Sequence, residues 1–182
     1  MTTISTRTIS VSQLAPWAAR GQLFAILDAT DAPAVPERAE SLGESRAISL
    51  YRGRAEEDLS AIAPYLVQLD WATLEWITST LWSEPWGVLV LTNVPLESLR
   101  THFRRFLVVN SPEGEAWYFR YYDPRVLGRY LETCLPEEVT DFFGPVIAYG
   151  VTDHETYGVA LQFVGDGPAI AEQAVPSSAV LA

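Results

Sequence analysis

Apolar positions along the chain fall into short runs of two kinds, continuous and helically spaced. Leu23-Phe24-Ala25-Ile26-Leu27 is continuous and closes on Asp28, the pattern of a strand buried on both faces. Further strands are predicted at Ala47–Tyr51, at Pro64–Leu69 with the proline at its start, and at Trp86–Leu91. Helices are predicted between them. Ser12 opens one that ends near Gly21, and Pro33–Leu42 forms one that stops at Gly43. Asp70 caps another running from Trp71 to Leu81, with Trp82 beside its apolar stripe. After Pro95, residues Leu96, Leu99, Phe103 and Phe106 mark a buried helical face, with His102, Arg104 and Arg105 on the later turns, where cations suit the helix dipole. Residues 1–11 are polar and are expected to be loose, and Arg52–Asp58 is expected to be a charged loop.

The later pattern is different. Val108-Val109 and the tract from Trp117 read as a hairpin about the turn Asn110-Ser111-Pro112-Glu113-Gly114. In the tract itself, odd positions Trp117, Phe119 and Tyr121 are expected on one strand face and even positions Tyr118, Arg120 and Tyr122 on the other. At Asp123 the period changes. Asp123 can cap the next helix, Pro124 suits its first position, and Val126, Leu127, Tyr130, Leu131 and Cys134 follow at helical spacing. Arg125 lies where the dipole disfavours a cation, so a carboxylate partner is expected from Asp123 or a distant acid. A short helix follows from Pro136 to Phe143, and two strands, Val146–Val151 and Thr156–Val164, join around Asp153-His154-Glu155. Strands and helices thus alternate through residue 135, with hairpins late. The expected fold is α/β, with one domain over residues 1–164, a mixed, partly parallel sheet flanked by helices, and late antiparallel strands. The Gly-, Pro-, Ser- and Ala-rich residues 165–182 read as a flexible tail.

Composition narrows the partners. The 182 residues are 48% hydrophobic and 19% charged, ordinary for one domain. Net charge is −11, which argues against nucleic acid and anionic membranes. Every basic residue is arginine. Neither a secretory leader nor a membrane-spanning run is present in the pattern, so a cytoplasmic location is expected. The single cysteine, Cys134, sits on an apolar helical face and excludes an intrachain disulfide.

Little in the pattern is catalytic. The chain has no nucleophile elbow, no phosphate-binding glycine loop and no Cys/His spacing for zinc, so no cofactor or metal is expected. Asp153-His154-Glu155 point apart on a strand or turn. Asp28, at a strand's carboxyl end, is where α/β enzymes often place an acid, although a turn cap explains it as well. An enzyme or ligand-binding reading therefore depends on Asp28 and Arg120, together with His102 if all three share a deep pocket.

Several segments in order carry a resemblance. Leu23–Asp28, Ser49–Gly53, Ala63-Pro64-Tyr65-Leu66-Val67, Trp86–Leu89, Leu99–Arg104, Phe119–Leu127 and Phe142–Pro145 resemble the type VI secretion effector adaptors, also called effector chaperones. Ala63 stands where the family pattern has glycine, and many members are longer, with a helical C-terminal lobe that has no counterpart here. The resemblance implies a non-catalytic protein that binds a toxic effector in the cytoplasm and helps load it onto the valine-glycine-repeat spike protein. It marks Asp28, Pro64, Tyr65, Asp123, Pro124 and Arg125 as structural signature. An aromatic-rich acidic domain would meet such a client through an apolar or edge-strand surface. Tyr118, Arg120, Tyr122 and Trp82 are the residues expected there. An immunity-type protein that blocks a basic toxin is an alternative partner reading.

Overall fold

The computed structural model describes residues 3–110 and 113–170. The continuous apolar runs sit at its centre. Strands β2 (Leu23–Asp28) and β5 (Gly87–Thr92) are buried at every position and pair with each other. β4 (Pro64–Gln68) flanks β2, and β3 (Ala47–Ser49) lies outside it at one edge. On the other side come β8 (Val146–Asp153), β9 (Gly158–Val164) and β1 (Ile4–Ser10), giving a seven-stranded sheet in the order β1-β9-β8-β5-β2-β4-β3. β6 (Val108–Asn110) and β7 (Ala116–Tyr118) form a separate two-stranded ribbon. The turn expected at 110–114 includes Ser111 and Pro112, which lie outside the described residues.

Every described pairing is antiparallel. The expectation of a partly parallel sheet is therefore corrected. The crossovers that suggested it are present: β2 and β3 run the same way, as do β4 and β5, each pair joined through a helix. Each crossover skips one position, and a strand of opposite sense fills the gap. β4 lies between β2 and β3, and β2 lies between β4 and β5. Alternation of strand and helix along a sequence does not reveal such an interposed strand.

Helices cover both faces. α1 (Ala15–Ala19), α2 (Ala34–Leu42) and α4 (Trp71–Thr80) pack Trp17, Val35, Leu74 and Ile77 against Leu23, Ala25 and Leu27. α5 (Leu96–Arg104), α6 (Pro124–Thr133) and α7 (Pro136–Phe143) pack Leu99, Phe103, Leu127 and Phe142 against Phe24 and Ile26. The segment expected as a charged loop forms α3 (Arg54–Asp58), with Ala55 turned to the second core. No helix of the described residues is long and apolar enough to cross a membrane.

Two more expectations change. Residues 4–10 are not loose but pair with β9 along their full length, from Ile4 opposite Val164 to Ser10 opposite Gly158. The tract expected as a strand over 117–122 leaves extended pairing after Tyr118 and turns at Tyr121-Tyr122. Residues 165–170 form no helix or strand, and the rest of the expected tail, 171–182, lies outside the described residues.

At the sheet's centre Gly87 has φ +144°, and a Cβ there would stand 2.0 Å from the Ile26 carbonyl oxygen. That close approach admits only glycine.

Candidate functional site

The signature residues converge where β2 ends. The Asp28 N–H donates to the Trp86 carbonyl at 2.8 Å, which ties the end of β2 to the start of β5. Pro64 opens β4 directly opposite Asp28, where a missing donor costs nothing in the ladder. Tyr65 donates its hydroxyl proton to the Ser60 carbonyl at 3.0 Å. The Asp28 carboxylate is 4% exposed. One oxygen accepts from the Thr30 N–H at 3.0 Å, and the other accepts from Arg120 Nη2. That contact holds the Arg120 guanidinium protonated more firmly than usual, against the opposing effect of burial.

Arg120 reaches Asp28 because the chain turns immediately after it. The Asp123 N–H donates back to the Arg120 carbonyl at 3.0 Å. Asp123 caps α6 by accepting the Arg125 N–H at 2.9 Å, and its two oxygens accept from Arg125 Nε at 2.9 Å and Nη2 at 2.6 Å. The Arg125 hydrogen bonds hold the Asp123 carboxyl below its ordinary range despite its burial. The turn also drops two aromatics into the core. Tyr121 donates to the Phe103 carbonyl at 3.0 Å. Tyr122 is 1% exposed and hydrogen-bonds the Tyr51 hydroxyl, and burial pushes its phenol well above the usual range.

Of the residues expected to meet a partner, Tyr118 is open, at 55% exposure, with its ring 5.4 Å from that of Tyr51. Arg120 is partly exposed and committed to Asp28. Tyr122 is not on an exposed strand face: it is a core residue, because the strand ends four residues earlier. Trp82 is half-buried and stacks on Trp86 at 6.2 Å. A chain of contacts therefore runs along one sheet end from Tyr118 through Tyr51 and Tyr122 to Arg120, Asp28, Trp86 and Trp82.

The crevice at Asp28, bounded by Asp31, Glu84, Trp86, Arg120 and Arg125, has a volume of about 10 Å³, room for about one water. His102 does not line it. Its Nε2 donates to the Phe142 carbonyl at 2.9 Å within the second core. Asp28, Arg120 and His102 thus share no pocket. Among the described residues, no group of three or more His, Cys, Asp or Glu side chains is placed to hold a metal.

Residues 23–141 match a family model described as a domain of unknown function (DUF4123). The chain belongs to the DUF4123 family. The DUF4123 segment begins at the first residue of β2 and ends inside α7, so it contains the whole Asp28–Arg120–Asp123–Arg125 joint and the β6–β7 ribbon. β1, β8 and β9 lie outside it. No curated protein and no solved structure matches the chain.

Two features of the DUF4123 segment are not legible from residue pattern. Arg104 is more than a cation at a helix end: its guanidinium donates to the carbonyls of Ser49, Leu50 and Tyr51 at 3.0, 3.0 and 2.7 Å. The ribbon, in turn, carries Val108, Val109, Trp117 and Tyr118 all in the open, with Trp117 52% exposed.

Proposed function

We propose that this chain is a non-catalytic adaptor that binds a type VI secretion effector in the bacterial cytoplasm and helps load it onto the valine-glycine-repeat spike protein. The observation that carries this reading is the exposed β6–β7 ribbon. Four large apolar residues stand clear of both cores on a two-stranded element whose backbone edges are unpaired in the main sheet. The register sets Val108 beside Tyr118 on one face of the ribbon and Val109 beside Trp117 on the other, so each face offers an exposed apolar pair to a partner. A pocket of about 240 Å³ at its root, between Tyr51, Arg52, Arg104, Val108 and Tyr118, is large enough to receive one bulky side chain of a client. Family membership supports the reading through the resemblance of the Phe119–Leu127 tract to the adaptors. The Asp28 crevice favours no enzymatic alternative, since both carboxylate oxygens are already engaged.

The test is co-expression with neighbouring toxin-like proteins and the local spike protein, followed by size exclusion. A complex through the toxin's non-catalytic segment, joined by the spike in a second step and lost in Trp117→Asp, is the expected result. Binding confined to a toxin's catalytic domain, with loss of its activity, would replace the reading by an immunity function. No complex with any of them would overturn it.

A further inference from the structure

The sheet's β3 edge is recessed in a groove of about 1040 Å³. One wall is α2 and the turn after it, and the other is formed by α3, the 60–62 turn and the start of α5. β3 lies on the floor, each of its residues less than a tenth exposed. Its hydrogen bonds leave a definite pattern open. The Arg46 carbonyl accepts from Gln68 N–H at 2.7 Å and the Leu50 N–H donates to the Pro64 carbonyl at 2.9 Å, so Arg46, Ile48 and Leu50 direct their backbone groups to β4. Ala47 and Ser49 direct theirs into the groove. Two of those four groups are used within the chain: the Ala47 N–H donates to the Gly43 carbonyl at 2.9 Å, and the Ser49 carbonyl accepts from Arg104 at 3.0 Å. The Ala47 carbonyl and the Ser49 N–H remain.

Those two groups flank Ile48. A single residue lying opposite Ile48 on a parallel strand donates to the carbonyl before it and accepts from the N–H after it, the slanted pairing of a parallel ladder. An antiparallel neighbour can use the same two groups, bonding them from the residues on either side of the one that faces Ile48, so the open pattern sets the register of an added strand and leaves its sense free. The walls define the visitor's charge. Glu37, Glu40 and Glu44 line one side and Glu56 and Glu97 the other. The groove's one cation, Arg100, is already held by Glu97 at 2.6 Å. The recess also explains why the edge does not invite indiscriminate pairing.

We infer that this groove takes an extended, lysine- or arginine-rich segment of a partner protein as a strand added along β3. Main-chain bonds to Ala47 and Ser49 fix the strand, and the glutamate walls select its charge. The inference stands on the groove alone and holds whether or not the partner is a secretion effector.

The test uses the full chain and three fluorescent nonapeptides: alternating Lys/Thr, alternating Glu/Thr, and the Lys/Thr peptide with a central proline. Anisotropy should show the Lys/Thr peptide binding at least about tenfold tighter than the other two, and the double variant Glu40→Lys/Glu44→Lys should lose about tenfold of that affinity. Both glutamates are exposed, so the variant is expected to fold. Hydrogen exchange at the Ser49 amide should slow on binding. Equal affinity for the proline-bearing peptide, or unchanged exchange at Ser49, would reduce the contact to surface charge and overturn the added strand. Absence of binding, or full binding by the double variant, would overturn the site.

Discussion

Asp28 and Asp123 are both buried carboxylates paired to arginine, but their partners differ in consequence. Removing Asp28 leaves Arg120 without its counter-ion and the Thr30 N–H without an acceptor. Because Arg120 is partly solvated, Asp28→Ala should cost about 2 kcal/mol rather than the full cost of breaking a buried pair, read as a shift in urea midpoint. Asp123→Ala removes a cap and should cost about 1–2 kcal/mol. Stability should fall before client binding does; lost binding with an unchanged midpoint would show that Asp123 contacts the client. His102 supplies a pH dependence. Burial lowers its pKa, outweighing the hydrogen bond to the Phe142 carbonyl, while nearby Arg105 and Asp141 act in opposite senses. The unfolded chain therefore binds a proton that the folded chain resists. Stability is full above about pH 6.5 and is lost as the pH falls below it. The midpoint should drop between pH 7.5 and 5.5 in the native chain and drop less in His102→Gln, whose amide can still donate to Phe142. Parallel slopes would assign the loss to other groups.

Among the elements, the β2–β5 pair is the least tolerant. Gly87→Ala places a methyl on the Ile26 carbonyl at an unfavourable φ, and should cost about 3 kcal/mol or more, seen as a large fall in melting temperature or as insoluble expression. A near-native melt would mean that the two strands can part locally. The ribbon is the converse case. Trp117→Ala and Tyr118→Ala remove exposed rings, so each should shift stability by no more than about 0.5 kcal/mol while weakening client capture in the pull-down. The same contrast explains what the sequence discloses. β2, α4 and the Asp123 cap are legible because a single local cause produces each: a continuous apolar run, a helical stripe, a carboxylate before proline. β1 is hidden because an edge strand needs little burial. Thr6, Thr8 and Ile9 carry strand propensity, but polar neighbours mask the pattern. The fate of Tyr122 depends on where the strand stops, and the alternation from Trp117 to Tyr122 continues past that point. The antiparallel sense of the sheet depends on which strand fills each skipped position, a property of the whole topology. The Asp28–Arg120 pair joins residues 92 apart, and only the assembled sheet end brings them together.

At the scale of the molecule, the DUF4123 segment is not a closed structure. Cut at residues 23 and 141, it would leave β5, buried at every position, as a bare edge, because β8 covers it. The isolated segment should therefore aggregate, while residues 1–170 stay soluble; a soluble monomeric 23–141 fragment would refute this. Deleting residues 1–10 should have a milder effect, exposing β9 and lowering the melting temperature without loss of the client binding proposed for the ribbon. The pairing of β1 with β9 has a further consequence for how the protein is made. Ser10 must wait for Gly158, so nearly 150 residues are synthesised between the two partners. At elongation rates of about 5–20 residues per second that is a delay of roughly 7–30 s, during which the first strand is unmatched. Closure of the sheet at β1 thus has to follow synthesis of β9, and a slow codon or a pause between the two would lengthen the interval in which a nascent chain can pair with the wrong neighbour.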